Sequence, residues 1–438
     1  MEKKGVLTLC IIFFVGYASR SQNARKHLSL QEAIASSVVD NDEIKLSVLD
    51  EQLAESNFHR TDAGFLPKVN VSYTAVTTNN SLNAFGFRLQ QRAIAATDFN
   101  PKLLNNPSAT ADFAAKGELQ QPLVNVNMLY ERMGAAKQVE MFQLISEHKR
   151  QSVLFETEMA YLKLQMLYDA DSVLKEAFST SKTLCQSSKD YFNQGLIQKS
   201  DLLNAELNVT NAETQLKNSL SDIEDASDRL SLMMGQPTGT VYTTDPSTEN
   251  RYLMADSLQL TDERADIKAL KAGIEAYGLM ISSSKMSYLP KLNAFASFQF
   301  NDKRLFGFSA HSYLAGMQLS WTLFDGNHVK NTIIQQNLER EKLVRQLDQR
   351  RLDAQVATNH VKRELADAAF AIRQRKLGVE QASEAFRIVQ NRYSQGLVKT
   401  DDVLVAHLQL SQQKLAHVQA IFDYNLAAVY LEFLTTKK

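Results

Sequence analysis

Three blocks recur in the same order in both halves of the chain, and this duplication restricts the possible folds more than any other feature. Leu66-Pro67-Lys68-Val69-Asn70 returns as Leu289-Pro290-Lys291-Leu292-Asn293. The segment 119–127 returns, more weakly, at 319–327. Gln194-Gly195-Leu196, followed by Asp201, Leu203, Ala205 and Leu207, returns as Gln395-Gly396-Leu397, followed by Asp402, Leu404, Ala406 and Leu408. Leu119 and Gly195 are 76 positions apart and Leu319 and Gly396 are 77 apart, whereas Pro67 to Leu119 spans 52 positions and Pro290 to Leu319 only 29. One segment is held to length and the other is free, as a strut differs from a surface loop.

The constant segments are expected to be helices. Residues 127–194 and 327–395 contain no proline and only Gly134 and Gly378. At about 1.5 Å per residue each would be roughly 100 Å long, beyond any globular domain. On a helical wheel of the second, Leu343, Leu347, Val361, Leu365, Ile372, Val379 and Phe386 share one sector. Leu352, Val356, Phe370, Leu377 and Ile388 fall nearly opposite. A surface helix needs one stripe and a two-helix coiled coil one seam; two opposed stripes suit a helix with a neighbour on each side, as in the wall of a tube. At Gly195 and Gly396 the chain is expected to turn, with Ser200-Asp201 and Thr400-Asp401-Asp402 offering capping oxygens to the helices that follow.

After each Leu-Pro comes a run of period two. Leu292, Ala294, Ala296, Phe298 and Phe300 oppose Asn293, Ser297 and Gln299; Tyr313, Ala315, Met317, Leu319, Trp321 and Leu323 oppose Gly316, Gln318, Ser320 and Thr322. The first half repeats this with Val69, Val71, Tyr73 and Ala75, then Phe113, Ala115, Gly117 and Leu119 against Lys116, Glu118 and Gln120. Runs of about ten residues with one apolar face match tilted membrane-crossing strands, and also a half-buried sheet of a soluble domain. Four strands cannot close a barrel, and an open edge cannot face lipid. Three copies would supply about twelve strands, wider than the roughly eight whose interior fills completely. Trp321 fits an interfacial aromatic belt, with a core position the alternative.

Residues 1–22 read as a secretory signal: Lys3 and Lys4, an apolar run over 6–17, then small residues around Ala18 and Ser19. Cys10 after Leu7, Thr8 and Leu9 leaves a lipoprotein as the lesser alternative. Without Cys10 only Cys185 remains, so no internal disulfide can form. No later stretch has the roughly 18 apolar residues of a spanning helix. A net charge of -1 carries no basic excess, so nucleic acid is not an expected partner. No glycine-rich phosphate loop, HExxH motif or suitably spaced histidine pair occurs. No catalytic residue, metal or cofactor is expected, and the chain is not read as an enzyme.

The expected organisation is a signal at 1–22 and a first repeat at 23–235, with a helix, strands at about 68–78 and 112–123, a long helix 127–194 and a return helix 200–234. A linker at 236–260 follows. The second repeat, 261–438, has a helix 262–288, strands at about 291–301 and 312–324, a long helix 327–395 and a return helix 400–435. The helix ahead of each hairpin is expected to run about 30 residues. The first hairpin loop, about 79–111, with Pro101, Pro107 and several Asn, is expected to project outside the cell and to vary in shape.

In the ordered set of two Leu-Pro strand entries, the Leu323-Phe324-Asp325-Gly326-Asn327 strand exit and the two Gly-Leu tips, the mature chain resembles the TolC-type outer-membrane efflux proteins. The resemblance implies a mainly α fold with a small β part: duplicated long-helix hairpins and four transmembrane strands per chain, forming a trimeric twelve-stranded barrel in the outer membrane on an α-helical periplasmic tunnel. It implies a homotrimer in outer-membrane lipid, whose tips, Gly195, Leu196, Gly396 and Leu397, meet a periplasmic adaptor joined to an inner-membrane pump. It implies an acidic entrance ring at Asp402, with Asp201 its counterpart; both carboxylates also suit the positive N-termini of their helices. Where the family pattern has a second acidic ring, this chain has Val405. The implied role is the exit duct of a tripartite pump for small molecules or drugs. The alternatives are a duct for type I protein secretion or metal-ion efflux, or a soluble periplasmic coiled-coil scaffold or adaptor.

Overall fold

A computed structural model describes residues 25–246 and 262–435. The expected signal segment with Cys10, and positions 247–260 of the expected linker, lie outside the described residues. The described chain is mostly helical, with one four-stranded sheet and one pair of two-residue strands. It divides into two compact units, each drawing on both sequence repeats.

Of the described residues, the first unit takes 25–41, 153–246 and 363–430. It holds α1 (Leu30–Asp40), the later parts of α5 (Val126–Asn193) and α8 (His328–Ser394), all of α6 (Lys199–Met233) and most of α9 (Thr400–Thr435). Tyr161, Leu164 and Leu230 are fully buried at its centre beside Ala33, Ile223, Met234 and Tyr242. Each such large apolar side chain contributes about 1.5–3 kcal/mol. The linker is partly structured: β4 (Tyr242–Thr243) pairs in parallel with β1 (Lys26–His27). Tyr161 Oη donates to Leu28 O at 3.1 Å and Tyr168 Oη to Tyr242 O at 2.8 Å, so side chains of α5 hold both strands. Two residues are too short to show alternation, and sequence reading missed this pair.

The single helix of about 30 residues expected ahead of the first hairpin is two helices, α1 and α2 (Asp42–Arg60). Asn41 interrupts them with an extended backbone (φ -65°, ψ 128°), and its buried Nδ2 donates to Met233 O at 2.9 Å. Gly235 takes φ +63° against α1, where a Cβ would overlap Asp40 O. In the second half the corresponding helix, α7 (Ala265–Met286), has 22 residues.

Of the described residues, the second unit takes 42–152, 262–362 and 431–435. Its sheet is antiparallel in the order β2 (Lys68–Thr78), β3 (Thr110–Val124), β5 (Lys291–Asp302), β6 (Ala310–Ser320). The last strand, expected at 312–324, ends at Ser320, and Trp321 lies beyond it. Its partner begins at Lys291, opposite Ser320, directly after Pro290, which has no N–H to extend the ladder.

The β2–β3 connection, read as a loop of variable shape, folds into α3 (Ser81–Gln90), a 3-10 turn (Ala96–Phe99) and α4 (Pro101–Asn105). Asn80, Asn100 and Pro101 are helix starts. Asn80 Oδ1 accepts from Asn83 N at 3.2 Å, and Asn100 Oδ1 accepts from Lys102 N at 3.0 Å with Pro101 at the first helical position. Arg88 pairs with Asp98 to close the segment on itself.

A buried charge cluster fastens α7. Asp266 accepts from Arg264 at 2.9 Å and from Arg350 of α8 at 2.7 Å, while Arg264 also donates to Leu434 O at 3.3 Å. Burial would raise the Asp266 carboxyl, but the two guanidiniums prevail and hold it at about 2.

Candidate functional site

The sheet presents two chemically different faces. Directly opposed residues of antiparallel strands share a face, so the ladder sorts every side chain. Val71, Gly117, Phe298 and Tyr313 form one row and Val69, Leu119, Ala296 and Ala315 the next. On the other face Asn70, Glu118, Ser297 and Leu314 align, followed by Ser72, Lys116, Gln299 and Ser312. The apolar face is bare in the single chain: Val71 is 83% exposed, Tyr313 82% and Met317 70%. An apolar patch of this extent marks a surface that meets lipid or protein. Among the described residues β2 and β6 each pair on one side only.

Aromatic groups bound the apolar face at both ends. At the helix end Trp321 is exposed and its Nε1 donates to Tyr288 O at 2.9 Å. At the hairpin end Tyr73 stacks on Phe306 at 5.4 Å, and Phe298 and Phe300 pack around His311. Sequence reading singled out Trp321 alone; the run Phe298, Phe300, Phe306, Phe308 was the signal for the second group.

The two Gly-Leu turns close in the same way. Gly195 (φ +74°) donates to Phe192 O at 2.9 Å and Leu196 to Tyr191 O at 2.9 Å. Gly396 (φ +70°) donates to Tyr393 O at 3.0 Å and Leu397 to Arg392 O at 2.9 Å. Positive φ at the residue ending a helix is the reason for glycine there. Leu196 and Leu397 are 67% and 65% exposed, apolar side chains left in solvent at two equivalent turns. Behind them Leu184, Ala205, Tyr393, Val403 and Leu404 form a buried cluster that packs the two helix pairs together. Tyr393 Oη lies 3.0 Å from Ser188 Oγ and 3.3 Å from Thr400 Oγ1, and Asn204 Nδ2 donates to Asp401 Oδ1 at 3.1 Å. The contacts of Tyr393 with Ser188 and of Asp401 with Asn204 were not foreseen in the sequence, because each joins residues about 200 positions apart.

Asp201 and Asp402 both cap helices. Asp201 Oδ2 accepts from Gln198 N at 3.0 Å and Asp402 Oδ2 from Lys399 N at 3.1 Å. Asp402 stays exposed and Asp201 half-buried, and Val405 is exposed one turn on.

The two stripes of α8 have different fates. Leu347 and Val361 are buried and Leu343, Leu365, Ile372, Val379 and Phe386 partly covered. Leu352, Val356, Phe370, Leu377 and Ile388 of the opposite stripe are each at least 45% exposed.

The sequence profile of one family, described as outer membrane efflux protein, matches residues 33–236 and 258–436. No curated protein matches the chain. Among solved structures, the Campylobacter jejuni CmeC outer membrane channel superposes with a TM-score of 0.79 at 15% identity, covering 92% of this chain and 85% of that one. CusC, whose structures concern transmembrane channel formation, gives 0.78 at 14% identity over 96% of each chain. The outer membrane protein VceC of Vibrio cholerae gives 0.75 at 16% identity, over 92% of this chain and 95% of that one.

Proposed function

The chain belongs to the outer membrane efflux protein family, and from that premise we propose that three copies build the exit duct of a tripartite pump for small molecules, drugs among them. The observation that carries this is the sheet: a bare apolar face, a polar face, and two strands with one unpaired side each. Joining β2 of one copy to β6 of the next satisfies both edges and closes twelve strands around a polar lumen, with apolar residues toward lipid and aromatic groups at both interfaces. The exposed stripe of α8 is then covered by a neighbouring copy, so that the helices continue the wall into the periplasm.

In this reading the repeats 23–235 and 261–438, joined by 236–260, are equivalent halves of the wall. Leu196 and Leu397 beside Gly195 and Gly396 are the contacts for a periplasmic adaptor, which in turn engages an inner-membrane pump. Asp402 and Asp201 line the entrance, and Trp321 marks the membrane interface. A passive duct selects little, so cargo is set by the pump it serves.

The test is extraction and mass. The protein should leave membranes with detergent and resist high salt, and should run in detergent as a trimer that conducts ions in planar bilayers. Cells lacking it should become drug-sensitive and regain resistance with the intact gene but not with Leu196→Asp/Leu397→Asp. A monomer released by salt alone would leave a periplasmic scaffold as the correct description.

A further inference from the structure

The β2–β3 insert lies on one side of the sheet. Gln91, at the end of α3, donates through Nε2 to Asp112 Oδ1 and to Ala111 O, both at 2.8 Å. Asn301 Nδ2 donates to the other Asp112 oxygen at 2.8 Å, and Arg92 Nη2 reaches across to His311 O of β6 at 2.9 Å. In the ladder Asn301 stands opposite Ala114 and Ala310, and Asp112 is two residues from Ala114 on the same strand. All four therefore belong to the polar face. Asp112, Asn301 and Ala310 are buried, at 4%, 1% and 1% exposure, whereas Phe306 and Phe308 of the β5–β6 connection remain open. The insert covers the hairpin end of the polar face.

The helix itself has a directed pattern. Ala84, which faces Leu103, Leu104 and Pro107 of the same insert, and Gln91 directly after the helix, which faces Asp112 of the sheet, are seven residues apart and buried. Leu82 and Leu89, also seven apart, lie about 200° away from them around the axis, and are 80% and 52% exposed. An apolar stripe thus points away from the packed side of the insert, which itself lies over the polar face of the sheet.

We propose that this insert is the outer sieve of the duct. α3 of each copy overhangs the lumen mouth, and the Leu82/Leu89 stripes of three copies meet one another and set the largest molecule that can pass. The inference rests on the barrel reading above, because only there does the polar face become a lumen shared by three copies. Magnitudes support closure. Twelve strands spaced about 4.8 Å apart and tilted about 40° form a backbone circle roughly 24 Å across. Inward side chains take about 5 Å from each side, leaving roughly 14 Å. One α-helix with side chains is already about 10–12 Å thick, so three overhanging the rim leave little free cross-section. The occupant of the stripe is a second copy of this chain, since the axis is where the three inserts converge and an isolated apolar stripe would otherwise face water.

The outer mouth can be probed separately from the periplasmic entrance. Ser297 is on the polar face in mid-strand, opposite Glu118 and Leu314. Intact cells carrying Ser297→Cys in a Cys185→Ser background would be treated from outside with a small membrane-impermeant maleimide and with a polyethylene-glycol maleimide of several kilodaltons. The same reagents would be applied with residues 79–109 replaced by a short turn, and with Leu82→Asp/Leu89→Asp, which leaves the anchors intact. The proposal expects the large reagent to be excluded from the parent and to label both variants faster by an order of magnitude. Labelling of the variants alone by the small reagent would also support it and mean a tighter closure. Equal rates with the large reagent in parent and variants would overturn the sieve while leaving the barrel standing. Labelling of no form on cells, but of every form in detergent, would overturn the barrel and the sieve together.

Discussion

Asp402 caps its helix, and in the proposed duct it would also face the entrance; two substitutions separate the two roles. Its carboxylate holds Lys399 N, so Asp402→Ala is expected to cost about 1 kcal/mol in chemical denaturation through loss of the cap. If three such carboxylates also line an entrance, the same change weakens blockade by multivalent cations in planar bilayers. Asp402→Asn keeps an oxygen acceptor but removes the charge: it should recover most of the stability and none of the blockade. Full blockade in both variants would leave the cap as the whole role. A second residue-scale expectation concerns His407 of α9, nearly enclosed and packed on Phe386 of α8. Burial holds its imidazole below the ordinary range; Glu176 pulls it upward and Lys414 downward. In the unfolded chain it protonates near pH 6.5. The stability it permits is therefore complete above that value and is lost as pH falls toward the lower folded value. His407→Leu should flatten the decline of the thermal midpoint between about pH 7 and 5; the remaining slope includes His148, which burial also holds low. An unchanged slope would rule His407 out.

Among the elements, α7 depends most on charge. Arg264 is buried at 8% exposure and shares Asp266 with Arg350. Asp266→Ala would leave Arg264 buried without its counter-ion and is expected to cost about 3–5 kcal/mol, whereas Arg350→Ala, on a half-exposed partner, should cost less. Because the Asp266 carboxyl sits near 2, below the unfolded value of about 3.9, its contribution is present above pH 4 or so and is lost as pH falls through about 2. Urea midpoints of the two variants would give the ranking, and equal midpoints would contradict it. The β2–β3 insert carries a different lesson at this scale. Asn80, Asn100 and Pro101 are common to loops and to helix starts, and composition alone does not separate them. The decisive feature is a capping oxygen two or three residues ahead of a free amide, which is a matter of geometry.

For the whole molecule the testable quantity is assembly. The stripe Leu352, Val356, Phe370, Leu377 and Ile388 has no cover in one chain, and covering it is worth about 25 cal/mol per Å² of apolar surface. If three copies assemble as proposed, Val356→Asp/Phe370→Asp should therefore shift the detergent-solubilised protein from trimer toward monomer in mass measurement while leaving helical content unchanged. A trimer of undiminished stability would mean the stripe lies outside the interface. The stripe was legible in the sequence because 3.6-residue periodicity records burial on any side, but periodicity does not say which neighbour is absent. The strand faces were legible for the same reason, and the Gly-Leu turns because positive φ narrows the choice of residue. The end of β6 at Ser320, the break at Asn41 and the tie from Asn204 to Asp401 were not. Each depends on a partner in a distant part of the chain: the start of β5 after Pro290, the carbonyl of Met233, and the opposite tip.

From its sequence alone the chain's repeat, its long helices, its two-faced strands and the positions of its tips were determined, since each follows from how a backbone places successive side chains. Only the tertiary structure decided which α8 stripe is covered, which carboxylates are committed to amides, and on which face of the sheet the first insert rests. Those outcomes are set by contacts between residues tens to hundreds of positions apart, whose energies no local pattern encodes.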